Sequence, residues 1–468
     1  MVLEANIKSE SRLESFLENP SKALWTLAIP IMFGMGIHTF YNLVDMFFIG
    51  KLGGEEIAAI AFNMPIFFLM LGLTMGLGSG VTASIARYIG QGNKNNADNC
   101  AEHALALAFI ISLVFTFGGL LFGKNLLSFL GAEGEILYLG WDYLFVITLG
   151  LPFMVFSGFF RSILAGEGDM KFPMMVAGLG TVLNIILDPI FIFELEHYGG
   201  FGLGLGVKGA ALATVISQLI GFLIFVFMLF IKKHAYVNFT LNDFKPSKYI
   251  IWDIIKVGIP ASLSMIIMAV GQGVFNKILI FYSSQTVAAY QVAGRLDMLI
   301  FLPIFAIAGA MTTLVGMFYG ANKIRELNQI IKYGMISAFF ITILSSTFVY
   351  IFAETFSSFF SEDKEIIDVS VGFLRHLALI YPFVAIAITS GRVMQGLGKG
   401  LPVLLITTVR VLGIGAPLGL YFTFILSKPV EWNWYAMMIS GTLAFIIAIN
   451  WVRYEVSKIN KENGYISL

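Results

Sequence analysis

Apolar residues dominate this chain in stretches of about twenty, each long enough to cross a bilayer as a helix and separated from the next by a short polar turn. The pattern predicts spans near 22–49, 56–88, 99–122, 136–163, 172–193, 208–231, 252–282, 287–318, 328–352, 367–391, 401–426 and 434–456. The expected fold is an all-α polytopic membrane protein of twelve transmembrane helices in two six-helix lobes. Its divisions are an N-terminal segment 1–21, a first lobe 22–231, a linker 232–251, a second lobe 252–456 and a tail 457–468.

Composition strengthens this reading. The chain is 58% hydrophobic and 12% charged, against about 25% charged in soluble proteins. Cys100 is the single cysteine, so no internal disulfide or thiolate metal cluster is available. Net charge is zero and no basic tract suggests nucleic acid. Basic residues favour one side: with the N-terminus inside, about 20 face the cytoplasm and about 5 face outward, the latter including Lys51, Lys124, Lys208, Lys364 and Lys428. Both termini are therefore expected in the cytoplasm of a multi-pass plasma-membrane protein.

The two halves repeat at a shift of about 230 residues. The shift pairs Pro30 with Pro260, Gly90 with Gly320, Leu151-Pro152-Phe153 with Tyr381-Pro382-Phe383, and Gly166-Glu167-Gly168 with Gly396-Leu397-Gly398. Six spans separate each pair, so the copies run parallel about an axis along the membrane normal, as in transporters that rock one lobe against the other.

Polar residues inside the spans mark candidate chemistry. Asn184 and Asp188 share one helical face, and Pro189 loosens the carbonyl of Ile185. An acid at this depth costs about 2.5–3.5 kcal/mol on insertion scales, which favours a functional role over a structural one. His38, Tyr41, Asn42 and Asp45 form a stripe on the first span. Asp45, Asp188 and Thr214 each fall roughly 7–9 Å below the outer surface, with Asn184 one turn deeper. Two carboxylates, an amide and a hydroxyl at matched depth suit a hard monovalent cation or a shared proton.

The second lobe differs. Phe275 takes the repeat position of Asp45, and Gln272, Asn276, Lys277, Arg295, Asp297, Arg375 and Arg410 supply its polarity. Arg295 and Asp297 are expected to pair internally. Asn42, Gln272, Asn276, Lys277 and Arg410 are candidates to line the cleft. His103 and His376 read as satisfied or interfacial groups, since no metal-ligand spacing joins them.

These residues resemble the multidrug and toxin extrusion (MATE) family, in particular its DinF-like, largely prokaryotic branch. The resemblance rests on Asn42-X-X-Asp45, Asn184-X-X-X-Asp188-Pro189, the Gly206–Thr214 stretch, Arg161 with Gly166-X-Gly168-Asp169, and Arg295-X-Asp297. It implies a cation-coupled antiporter, driven by Na+ or H+, that expels small organic compounds. It also implies a coupling-ion site of Asp45, Asn184, Asp188 and Thr214, and a bending point at Pro30. No other cofactor is expected, the partners are substrate and lipid bilayer, and a monomer suffices. A flippase or exporter of lipid-linked or anionic substrates is the alternative, favoured by Lys277 and Arg410. An enzyme is disfavoured: Gly166-Glu167-Gly168-Asp169 has the letters of an intramembrane aspartyl protease but falls in a loop. Gly204-X-Gly206-X-X-Gly209 lacks a preceding strand, and no phosphate-binding Gly-X-X-X-X-Gly-Lys-Ser/Thr loop is present.

Overall fold

The computed structural model describes residues 12–194, 202–239 and 244–465, and nearly all of them are helical. The twelve spans are Pro20–Gly50, Gly54–Gly90, Lys94–Phe129, Gly134–Gly166, Lys171–Ile192, Gly206–Ile231, Lys248–Leu279, Ser284–Gly320, Ile324–Ser358, the bent pair Lys364–Ala378 and Tyr381–Gly396, Leu401–Ile425, and Glu431–Glu462. Small polar residues start several of them by satisfying a free backbone N–H. Asn19 accepts from Lys22 N–H at 3.0 Å, Asn93 from Asn96 N–H at 3.0 Å, and Ser283 from Thr286 N–H at 3.0 Å. The tenth span is bent by 60° at its break, where Pro382 withholds a donor from the first turn of Tyr381–Gly396.

The duplication is visible in the backbone itself. Left-handed residues close the second and eighth spans at Gly92 (φ 68°) and Asn322 (φ 55°), and the fourth and tenth at Gly168 (φ 76°) and Gly398 (φ 81°). Each pair is one repeat shift apart. The lobes meet through the halves of spans two and eight nearest the termini, where every residue of 76–89 and of 310–318 is buried. Glycines allow the approach: a side chain on Gly76 would strike Ser262, and one on Gly80 would strike the carbonyl of Ile254. Tyr88 then donates to Asp253 Oδ2 at 2.8 Å, Arg87 lies 3.6 Å from the same oxygen, and Thr313 donates to the Ala165 carbonyl at 2.9 Å. Toward the far end, large apolar side chains on the facing spans become exposed, among them Phe33, Phe40, Phe68, Met268 and Met298. The bundle is sealed at the terminal end.

Candidate functional site

Spans five and six build the first-lobe site. Asn184 and Asp188 are both buried, at 3% and 0% exposure, on one face of Lys171–Ile192. After Ile192 the chain returns through Leu203 and Leu205, whose N–H groups bond the carbonyls of Ile190 (2.8 Å) and Phe191 (2.9 Å). Gly209 then passes so close to the Phe191 carbonyl that no side chain would fit, which sets the start of span six against the end of span five. That register brings Thr214 to Asn184. With its amide nitrogen toward Asp188 Oδ2 (3.2 Å), Asn184 accepts the Thr214 backbone N–H at 3.0 Å. Three of the four expected ligands therefore form one cluster. The fourth, Asp45, and its neighbour Asn42 lie on the helical backbone of span one, and their side chains fall outside the described residues.

Span one packs on span five where Gly34 leaves room for the Met174 side chain. Beside that contact is an open groove of about 540 Å³ lined by Met32, Phe33, Gly36, Ile37, Phe40, Thr181, Val182 and Ile185. Thr181 stands one turn before Asn184, so the groove adjoins the polar cluster along span five.

The second lobe arranges its polar residues differently from expectation. Arg295 and Asp297 are two positions apart on one helix and diverge, because residues at that spacing do not face each other. Asp297 accepts from the Tyr381 hydroxyl, while the exposed Arg295 places its guanidinium 6.0 Å from the Phe360 ring centre. Among the described residues no ion pair joins the two. Tyr290 lies within electrostatic reach of both Asp297 and Arg410. Arg410 occupies the π-helical turn Val409–Gly415 of span eleven, just before Pro417. Asn276 accepts from Gln291 at 3.1 Å, whereas Gln272 and Lys277 are exposed on span seven.

A second polar cluster, at the terminal end, ties the linker to the first lobe. Glu167 accepts the backbone N–H groups of Tyr236 (3.0 Å) and Val237 (2.8 Å). Burial pushes its carboxyl up to about 7, against the opposing pull of those two N–H groups. Asp169 lies two residues on. Burial would raise it too, but the His234 hydrogen bond (2.9 Å) and the Arg12 charge (3.3 Å) win, holding it below the usual carboxylate range. His103 bonds the Asn99 carbonyl through Nδ1 (2.7 Å) and accepts Ser247 N–H at Nε2 (2.9 Å), a satisfied structural histidine. The letters of Gly166-Glu167-Gly168-Asp169 thus serve as a clasp, whose partners 65 to 70 residues away left no local signal.

Comparison with known proteins agrees with this architecture. The MatE family model matches twice, over residues 30–190 and 260–421, once in each lobe. The probable multidrug resistance protein NorM of Thermotoga maritima is 28% identical over 83% of both chains. A FAD transporter of Shewanella oneidensis is 27% identical over 86% of this chain and 88% of that one. A solved MOP-superfamily transporter from Pyrococcus furiosus, described as having a binding pocket of reverse polarity that suggests a different function, is 32% identical. It superposes with a TM-score of 0.89 over 94% of this chain and 97% of that chain.

Proposed function

The chain belongs to the MatE family of multidrug and toxin extrusion transporters, and we propose that it is a Na+- or H+-coupled antiporter working by alternating access. The observation that carries this reading is the buried Asn184–Asp188–Thr214 cluster. A carboxylate with no exposed surface is costly inside a membrane protein, and a bound cation or proton offsets that cost. Organic substrate and ion would favour different shapes of the first lobe, so each lowers the other's affinity, which is antiport expressed as linkage. Pro30 leaves the Thr26 carbonyl without its helical donor and gives span one a place to bend between those shapes.

The bias of Lys and Arg toward the terminal end supports placing both termini in the cytoplasm. The sealed end would then be the cytoplasmic one. Reconstitution into proteoliposomes with imposed Na+ or pH gradients tests the proposal: export of organic compounds should follow one gradient and vanish in Asp188→Asn. A second reading, export of anionic or lipid-linked compounds, is supported by the exposed Lys277, by the Shewanella oneidensis relative's name, and by the reverse polarity described for the Pyrococcus furiosus protein.

A further inference from the structure

A groove of about 300 Å³ opens at the terminal end of the second lobe, where spans seven, eleven and twelve meet. Lys256, Lys399, Leu401, Trp451 and Glu455 line it. Gly400 sets its shape. A side chain there would strike the backbone carbonyls of Lys256 and Val257, so the turn before span eleven lies directly on span seven. That contact brings Lys399 and Lys256 to one opening.

The two lysines are held from behind. Lys256 pairs with Asp253 and Lys399 with Glu455, acids whose side chains are 5% and 10% exposed, against 31% and 41% for the lysines. An ammonium carries three N–H donors, so one carboxylate contact leaves each lysine two for a ligand. Arg87 of the first lobe adds a third cation. It lies 3.6 Å from Asp253 Oδ2 and packs so closely on Gly398, in the groove wall, that no side chain fits there. Among the described residues of this cluster three cations meet two carboxylates, which leaves positive charge in excess.

The walls change character with depth. Ile259 and Leu263 continue the face of Lys256 along span seven, and Leu405 continues that of Leu401 along span eleven; all four of these apolar side chains are exposed. Tyr249, Trp252 and Tyr454 are exposed at the same end of spans seven and twelve, as aromatic side chains are at a membrane–water interface. Cations at the interface above an apolar track match a phospholipid, with phosphate at the lysines and chains below. A free phosphate would use the upper half alone.

We propose that this groove binds an anionic phospholipid of the terminal-side leaflet, its phosphate on Lys256 and Lys399 and its chains along spans seven and eleven. The site is separate from the ion cluster and does not depend on the transport reading above.

The test is native mass spectrometry of the delipidated full-length protein titrated with dioleoyl phosphatidylglycerol or dioleoyl phosphatidylcholine. One phosphatidylglycerol should bind about tenfold or more tightly than phosphatidylcholine, since each lysine near the surface favours an anionic lipid by about fivefold. The double variant Lys256→Gln, Lys399→Gln should weaken phosphatidylglycerol by about tenfold and leave phosphatidylcholine unchanged. The pair Lys248→Gln, Lys458→Gln, at the same end but outside the groove lining, should keep the preference. Leu401→Glu places a carboxylate on the exposed rim and serves if the groove lysine variant does not fold. It should weaken phosphatidylglycerol by about fivefold. Equal affinity for the two lipids in the wild type, a preference that survives in the groove variants, or one lost equally in the outer pair overturns the site. Millimolar inorganic phosphate should leave the lipid in place; displacement would make free phosphate the ligand and overturn the lipid assignment.

Discussion

Gly90 and Gly320, one repeat shift apart, each lie against the other's helix: a side chain on Gly90 would strike the Met317 carbonyl, and one on Gly320 the Arg87 carbonyl. Arg87 and Met317 are themselves one shift apart, so the crossing is symmetric about the axis between the lobes. Because backbone meets backbone, neither partner can turn aside to admit a methyl group. Gly320→Val should therefore force the lobes apart at the terminal end, with an overpacking cost of about 1–3 kcal/mol in the sealed state. Spin-label distances between the ends of spans two and eight would show this, and an unchanged distribution would refute it. The native Cys100 is buried, which suits such labelling.

The seal has a polar lock beside its glycines. Tyr88 donates to Asp253, which also meets Arg87 and Lys256. Hydrogen bonds to charged acceptors contribute about 1.5–3 kcal/mol, and Asp253 keeps two cationic partners when the tyrosine hydroxyl is removed. Tyr88→Phe should shift the ratio of open to sealed terminal ends by about tenfold, and Asp253→Asn by more. The same spin-label pair reads both; a smaller effect of Asp253→Asn than of Tyr88→Phe would contradict the assignment.

Acid should tighten the clasp on the linker. Glu167 holds its proton up to about pH 7, whereas an unfolded glutamate releases it near its ordinary value of 4.5. The folded state binds the extra proton between those values, so this group's contribution to stability is full below about pH 4.5 and declines as pH rises to about 7. Asp169 runs the other way: its depressed carboxyl contributes above the ordinary aspartate range and loses that contribution only in stronger acid. Melting temperatures in detergent should fall from pH 5 to pH 7.5 by more in the wild type than in Glu167→Gln. Parallel curves would show that Glu167 titrates normally.

Much of this architecture was legible in the chain because a bilayer leaves few choices. Apolar runs of about twenty residues must be helices, and the twelve predicted spans match those observed with ends shifted by a few residues. The misses have local causes. The sharp break in span ten follows Leu379 and Ile380, yet the repeat-related Pro152 sits inside an unbroken span four, so proline alone did not mark it. The π turn Val409–Gly415 of span eleven precedes Pro417, whose missing donor upsets the ladder on that side. Asn184, Asp188 and Thr214 were found because polar side chains stand out in apolar surroundings. Glu167 did not stand out: an acid in a loop is ordinary until folding shows what surrounds it.

Pro30 should matter for motion more than for affinity. Pro30→Ala restores the donor that the Thr26 carbonyl lacks and stiffens span one. Turnover in proteoliposomes should fall by about threefold or more, while the half-saturating ion concentration moves by less than about twofold. A variant with normal turnover and weakened ion binding would relocate the role of Pro30 to the ion site.

The most direct test of the account is substrate flux in proteoliposomes under imposed Na+ and pH gradients, compared between the wild type and the double variant Asp45→Asn, Asp188→Asn. The account predicts flux that follows one gradient in the wild type, is partly lost in Thr214→Ala, and becomes indifferent to both gradients in the double variant. Gradient-dependent flux persisting in the double variant would contradict it and move the ion site to the second lobe, where Asp297 and Tyr381 meet.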